Sequence, residues 1–344
     1  MIETVALIII FIAIALVYKF SRKVDNKYTF GVARQSRFDK EAVTWCAEFL
    51  SVDEKVLRKI LNYTPSNYNR FKIGKRSGGY RTISAPNETL LTIQKNIYRR
   101  LLYPVNLHPA ATGFINNKSI ADNASPHLKN DYVLKVDIMD FFGSINKDRI
   151  VKIFETLGHS SSISKVLAQL CCLHNQLPQG AATSPVLSNL AAQEMDNKLA
   201  ALAQEYQLVY TRYADDITFS GDNFPKDVIL NKIIKILQEE GFKRKMKKTR
   251  YLMPNRRKII TGISISSGEK MTIPKAVRRE IRKNVHYIIT RGLSAHLQHI
   301  DSKDPVYLKR LIGQLSFWKS VEPDNTYVIK SLEALKKIDH RMKQ

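Results

Sequence analysis

Two acids, Asp215 and Asp216, stand side by side inside a run of β-prone residues, Tyr210–Ser220 (YTRYADDITFS). Aromatic and β-branched residues favour strands, and Ala-Asp-Asp interrupts them, so the run predicts a hairpin with the acids at its tip. Neighbouring side chains of a strand point to opposite faces, and two adjacent acids share a face only at a turn. Crowded carboxylates repel one another unless a cation lies between them, which makes the tip a candidate Mg²⁺ site. Taken alone, an Asp-Asp pair is most simply an ordinary Asp-containing turn.

The pair is not alone. Tyr132–Phe142 (YVLKVDIMDFF) alternates Leu134, Val136 and Ile138 against Val133, Lys135 and Asp137, a period of two that puts Asp137 near a strand end. A third acid on a neighbouring strand would complete a two-metal site, where paired cations activate a 3′-hydroxyl and stabilise leaving pyrophosphate. Between these runs lies Leu177–Asn189 (LPQGAATSPVLSN), a turn-rich entry into an apolar helix.

The Asp137–Phe142 segment, the Leu-Pro-Gln-Gly…Ser-Pro turn and the Tyr-Ala-Asp-Asp hairpin resemble the A, B and C motifs of reverse transcriptases. Asn123-Ala-Ser-Pro-His127 resembles the Asn-Ala-x-x-His signature of retron reverse transcriptases, and Ile260-Thr261-Gly262 their Val-Thr-Gly signature, with Ile in place of Val. Arg81–Pro86 and Gly113-Phe114…Ser119-Ile120 also fit, so the resemblance covers about residues 65–265.

The resemblance implies RNA-templated DNA synthesis from dNTPs, with two Mg²⁺ ions held by Asp137, Asp215 and Asp216. It places Arg81 at the incoming triphosphate, and Gln179 and Gly180 against the nucleotide and the template base. Phe142 becomes the ring under the sugar that excludes a 2′-hydroxyl, while one of Phe141 and Phe142 is core. Lys248 is the lysine near the pyrophosphate and a general acid, although spacing alone leaves Lys247 open. Asn123, His127, Thr261 and Gly262 are assigned to RNA. His127, with no acid–base partner visible in sequence, reads better as a fold-specific hydrogen bond than as a catalyst. Asp140 reads as a peripheral acid.

A formal charge of +24, from 55 basic and 31 acidic residues, favours a polyanionic partner, nucleic acid before lipid. Phe242 to Lys258 alone holds nine Lys or Arg and no acid. Cys46, Cys171 and Cys172 have neither disulfide-framework nor zinc spacing and read as reduced cytosolic core thiols. Val5 to Tyr18 (VALIIIFIAIALVY) is apolar throughout, with Glu3 before it and Lys19, Arg22, Lys23 and Lys27 after it. That pattern predicts a single inner-membrane anchor over residues 1–20 with the catalytic body cytoplasmic. A buried helix is the other reading. Retron enzymes often lack an anchor, so the chain departs from their pattern here.

Between these landmarks the sequence predicts a linker and two short helices (21–64), a basic finger hairpin at Phe71–Pro86, and a helix from Asn87 to Leu102. A helix follows the hairpin at Asp227–Glu240, strands alternate over 259–273, and basic amphipathic helices span about 274–291, 305–320 and 326–341. The expected fold is α+β, a right-hand polymerase. Its fingers and palm with an antiparallel sheet span 65–265, and its helical thumb 266–344. No acidic constellation points to a ribonuclease H domain. By analogy with retrons the template is a cognate noncoding RNA primed from its own 2′-hydroxyl, giving a branched RNA–DNA product in anti-phage defence with an effector protein. Two rivals stand beside this: another bacterial reverse transcriptase class, defence-associated or group II intron-like, and a membrane effector or RNA-binding scaffold.

Overall fold

The computed structural model describes residues 38–75 and 78–342. The chain divides into two compact units, one built from residues up to Pro104 together with Asn146–Ser184, the other from Val105–Ile145 and Pro185 onward. The chain leaves the first unit, returns to it and leaves again.

The first unit is mainly helical. Helices α1 (Lys40–Leu50) and α2 (Glu54–Asn62) are started by Asp39 and Asp53, whose carboxylates accept from the backbone N–H groups of Glu41 and Val56. Strands β1 (Tyr68–Gly74) and β2 (Tyr80–Pro86) form the expected hairpin in seven-residue register. Asn87 caps α3 (Glu88–Ile97) through the N–H of Leu90, as its position predicts. The helix then loosens into a π turn over Tyr98–Leu102 and buries Leu90, Ile93, Gln94 and Ile97. Helices α5 (Lys147–Thr156) and α6 (Ser161–Cys171) complete the unit. The three thiols are free and buried. Burial pushes those of Cys46 and Cys171 up to about 12, as suits core residues.

The second unit holds a four-stranded antiparallel sheet in the order β4-β5-β3-β6, from β3 (Tyr132–Asp137), β4 (Val209–Tyr213), β5 (Asp216–Gly221) and β6 (Arg250–Leu252). Strand β3 is interior, and Val133, Leu134 and Val136 are buried on both of its faces, as a covered central strand requires. A short helix, α4 (Ile120–Ala124), precedes β3. Helices α7 (Ser184–Ala191) and α8 (Gln193–Glu205) lead into the β4–β5 hairpin, and α9 (Lys226–Glu239) follows it. The two helices α7 and α8 are separated by a break at Ala192.

Beyond them a small hairpin, β7 (Ile259–Ile260) and β8 (Ile263–Ser264), turns on Thr261 and Gly262 with positive φ at both, the backbone of a type I′ turn. Four helices follow: α10 (Lys275–Arg291), α11 (Leu293–His299), α12 (Tyr307–Val321) and α13 (Thr326–Arg341). Three were expected; α11 is additional, set off by Gly292 at φ 83°. Their apolar faces close on Trp318, fully buried, and share that core with Ile260, Ile263, Ala124 and Val133. Among the described residues no helix is long and apolar enough to cross a membrane. The expected anchor over residues 1–20 lies outside them.

Candidate active site

Asp137 ends β3 and pairs in register with Asp216, the first residue of β5. Tyr213 pairs with Asp216 across the β4–β5 turn, leaving Ala214 and Asp215 as a two-residue loop. Ala214 alone of the two has positive φ, 54°, the pattern of a type II′ turn normally filled by glycine there. Ile138 donates its N–H to the Asp215 carbonyl at 2.8 Å, clipping the loop to the end of β3. Backbone pairing thus gathers the acids at one end of the sheet.

Their environments differ. Asp137 is 4% exposed, and its Oδ1 has no partner among the described residues, while its Oδ2 accepts from the Lys248 ammonium. Lys248 sits on the 3-10 turn Met246–Lys248, which is tied to the same strand end where Lys245 N–H donates to the Asp137 carbonyl at 2.7 Å. Partial burial opposes the charge of Lys248, but the Asp137 carboxylate holds its ammonium above the usual range. The Asp215 carboxyl is pushed up, by burial first and then by the charge of Asp137. Asp216 turns toward Lys135, 3.7 Å away. Among the described residues no three His, Cys, Asp or Glu side chains close a ready-made metal cage. A buried carboxylate oxygen without a partner, beside a second carboxyl strained by its charge, is nonetheless the donor set a hard divalent cation takes.

Behind the hairpin lies a buried group that the sequence did not reveal. Arg212 donates from Nε to Asp196 Oδ1 at 2.7 Å and from Nη2 to Oδ2 at 2.5 Å, both side chains being fully buried. The Tyr210 hydroxyl donates to the same carboxylate at 2.6 Å. Nη1 of Arg212 reaches Asn189 Oδ1 and the Ala214 carbonyl, each at 3.1 Å. The bidentate pair thus brackets the Ala214–Asp215 loop from within. Asn189 in turn donates to the Gly113 carbonyl at 2.9 Å. A Cβ on Gly113 would sit 2.8 Å from the Ala214 nitrogen, so only glycine admits this approach.

The two signature segments meet. Asn123 and His127 are fully buried. Asn123 accepts from Thr112 Oγ1 at 2.9 Å and donates to Thr261 Oγ1 at 3.4 Å, and Thr261 donates to the Ile120 carbonyl at 3.2 Å. His127 spans the hairpin, with Nδ1 2.6 Å from Ser220 Oγ and Nε2 2.8 Å from Thr211 Oγ1. Burial pushes its imidazole down to about 3, so it is neutral there. Gly262 is the exposed member of the set and Thr261 is half-buried.

Phe141 is core, 4% exposed and against Phe242, while Phe142 is half-buried. Asp140 is exposed, at φ 47°. Arg81, Gln179 and Gly180 belong to the first unit. There Ser84 N–H donates to the Gln179 carbonyl at 2.8 Å, and Ala182 N–H to the Gln94 side chain at 3.2 Å. Gly180 has φ 124°, and a Cβ would stand 2.7 Å from the Ser84 carbonyl oxygen, so the turn needs its glycine. Arg81 is exposed on β2.

The second unit also has an open cleft of about 450 Å³ beside the β7–β8 hairpin and the start of α10, lined by Lys129, Arg256, Arg257, Lys258, Lys275 and Arg278 with Ser264, Ser266 and Ser267. Asp131 is its one acid. No side chain caps the first turn of α10, so its N–H groups add to the positive field. Such a cleft suits phosphates.

Residues 73–290 match the family Reverse transcriptase (RNA-dependent DNA polymerase). The Retron Ec86 reverse transcriptase of Escherichia coli is 33% identical over 252 residues, 72% of this chain and 78% of that protein. The Retron Mx65 reverse transcriptase of Myxococcus xanthus is 30% identical over 302 residues, 81% of this chain and 68% of that protein. Among solved structures, a foamy viral protease-reverse transcriptase in complex with ds DNA aligns at TM-score 0.42 and 15% identity, over 93% of this chain and 52% of that chain. The chain belongs to the reverse transcriptases and, within them, to the RNA-directed DNA polymerases of retrons.

Proposed function

We propose that this enzyme copies a cognate noncoding RNA into DNA, starting from a 2′-hydroxyl of that RNA and leaving a branched hybrid. The observation that carries the reading is the bond between Asn123 and Thr261, which ties the two retron signature segments to each other and to the strands presenting Asp215. Their polar side chains are spent on the fold, so the RNA is held by exposed neighbours: Gly262, the turn around it, and the cationic cleft next to that turn.

Asp137, Asp215 and Asp216 would hold two Mg²⁺ ions, which supply Lewis-acid activation of the attacking hydroxyl and neutralise the leaving pyrophosphate. Asp137 contributes the unpartnered Oδ1, and the pressure on Asp215 is relieved when a cation shares its carboxylate. Lys248, already charged, is poised to follow the leaving group and give it a proton. Phe142 lies under the sugar, and Arg81, Gln179 and Gly180 act on the incoming nucleotide and template. Residues 1–20 anchor the enzyme in the inner membrane, with defence through an effector protein as the setting.

The test is to express the chain with its flanking genomic DNA and recover the nucleic acid bound to it. A short DNA covalently joined to RNA, absent from the Asp215→Ala/Asp216→Ala variant, is the expected result. Linear DNA alone would refute 2′-hydroxyl priming. A membrane fraction that retains the enzyme after deletion of residues 1–20 would refute the anchor.

A further inference from the structure

Phe114 is an outlier in three respects. Its backbone is left-handed, φ 64°, a region that residues with a Cβ rarely occupy. The residue is 43% exposed, and yet its ring lies against two others, Phe142 with centroids 5.9 Å apart and Tyr213 at 6.3 Å. Phe142 follows the metal-site strand β3, and Tyr213 closes the loop that carries Asp215. Phe114 thus joins two segments of the site that come from different strands.

Its place is fixed by neighbours rather than by its own preference. Residues 110–112 run beside β4: Arg212 N–H donates to the Ala110 carbonyl, and Thr112 N–H to the Arg212 carbonyl, each at 2.8 Å. Gly113 then lies so close to the Ala214 nitrogen that a Cβ would be 2.8 Å from it, and Asn189 holds the Gly113 carbonyl. The chain emerging from that contact must place residue 114 at the hairpin tip. Strained backbone that its surroundings over-determine in this way belongs to functional sites.

A half-exposed phenylalanine such as Phe142 has room to change rotamer unless something backs it. Offset and tilted aromatic contacts supply such a backing with a preferred geometry. The Phe114 and Phe142 rings are tilted by 49°, and Phe141 contacts Phe142 from the core side at 5.7 Å. Phe142 is therefore held between a core ring and an exposed ring that is itself braced on Tyr213.

We infer that Phe114 is a positioning residue: it fixes the Phe142 ring and thereby sets the discrimination of deoxyribonucleoside from ribonucleoside triphosphates. The inference rests on the reading of Phe142 as the ring under the sugar. Exclusion of a hydroxyl by a ring depends on the ring staying put, because a small rotation opens the space that an added oxygen needs. Without Phe114 the gate is present but loose.

The experiment is single-nucleotide extension of a primer on an RNA template, with kcat and KM measured separately for matched dNTP and rNTP. It compares the wild type with Phe142→Ala, Phe114→Asn and Phe114→Tyr. Asparagine tolerates left-handed backbone, so this change removes the ring without adding strain. The expected result for Phe114→Asn is a fall in dNTP-over-rNTP selectivity of about 2- to 10-fold, carried by improved rNTP use while dNTP kcat is kept. Phe114→Tyr, which keeps the ring, should restore wild-type selectivity, and Phe142→Ala should lose more than Phe114→Asn.

If Phe142→Ala relaxes selectivity and Phe114→Asn does not, the positioning role is overturned while the sugar-gate reading stands. If Phe142→Ala leaves selectivity unchanged, the gate reading fails and the inference falls with it. Equal losses of kcat for both nucleotides in Phe114→Asn would show a scaffold residue only, which also overturns the proposal. Should Phe114→Asn not fold by circular dichroism, Phe114→Leu carries the same comparison.

Discussion

Replacing Arg212 by methionine removes the four hydrogen bonds it gives to Asp196, Asn189 and Ala214. What matters energetically is what stays behind. The Asp196 carboxylate, fully buried, keeps only the Tyr210 hydroxyl as a partner among the described residues, and the Ala214 carbonyl and Asn189 Oδ1 lose a donor. Breaking a buried pair from one side costs about 3–5 kcal/mol, because the stranded charge is not returned to water. Changing the whole group to apolar residues, Arg212→Met with Asp196→Leu and Tyr210→Phe, should recover most of that loss or exceed the wild type, since desolvating the ions was itself expensive. Synthesis should not recover with it. The Ala214 carbonyl is still without its donor, and under the proposed two-metal reading the loop that carries Asp215 tolerates little displacement. Urea unfolding with the slope checked for constancy gives the stability of each variant, and primer extension gives kcat. A single-variant loss below about 1 kcal/mol, or a triple variant that regains full kcat, would refute the reasoning.

His127 predicts a pH dependence of stability. Its folded value, about 3, lies below the ordinary 6.5, so between those values the unfolded chain binds the extra proton, and stability present above 6.5 is lost as the pH falls. The slope approaches about 1.4 kcal/mol per pH unit, and His127→Gln should remove that component from urea midpoints measured between pH 7.5 and 5.5. Asp215→Asn should abolish synthesis yet raise the urea midpoint in chelator, because the neutral amide lifts the burial and repulsion that raise this carboxyl. A lowered midpoint would contradict it. In the cationic cleft, Arg256→Glu and Arg257→Glu should each weaken RNA binding and lower the slope of log affinity against log salt by about 1, measured by filter binding. An unchanged slope would remove these residues from the RNA path.

Local periodicity made the elements that carry the acids legible. The alternation before Asp137 and the break at Ala214–Asp216 are each contained in about a dozen residues, and all three strands formed where they were expected. The basic helices at the C-terminal end were legible from spacing as well. Partnerships between distant residues were not. Asp196 sits on a helix and Arg212 on a strand, and either one read alone looks like an ordinary solvated charge; only the fold shows both fully buried against each other. The partners of Asn123 and His127 were hidden in the same way, since polar residue types give no sign of burial when the bonds they satisfy lie on strands and turns far along the chain. The division into two units was not legible either. The Asn146–Ser184 helices return to the first unit, and no change of composition marks that return.

The position of β3 in the sheet also sets a schedule for the nascent chain. Its partner β5 is roughly 80 residues downstream and β6 further still, so at about 5–20 residues per second the ribosome leaves β3 unpaired for about 4–16 s. Throughout that interval Val133, Leu134 and Val136 have no sheet to enter, and both edges of the strand offer open hydrogen-bonding groups. Slow translation of the stretch between the two strands lengthens the exposure, and a holdase that captures short apolar segments shortens its effect. The yield of active enzyme is therefore tied to elongation speed between Asp137 and Asp216, before any nucleotide is bound.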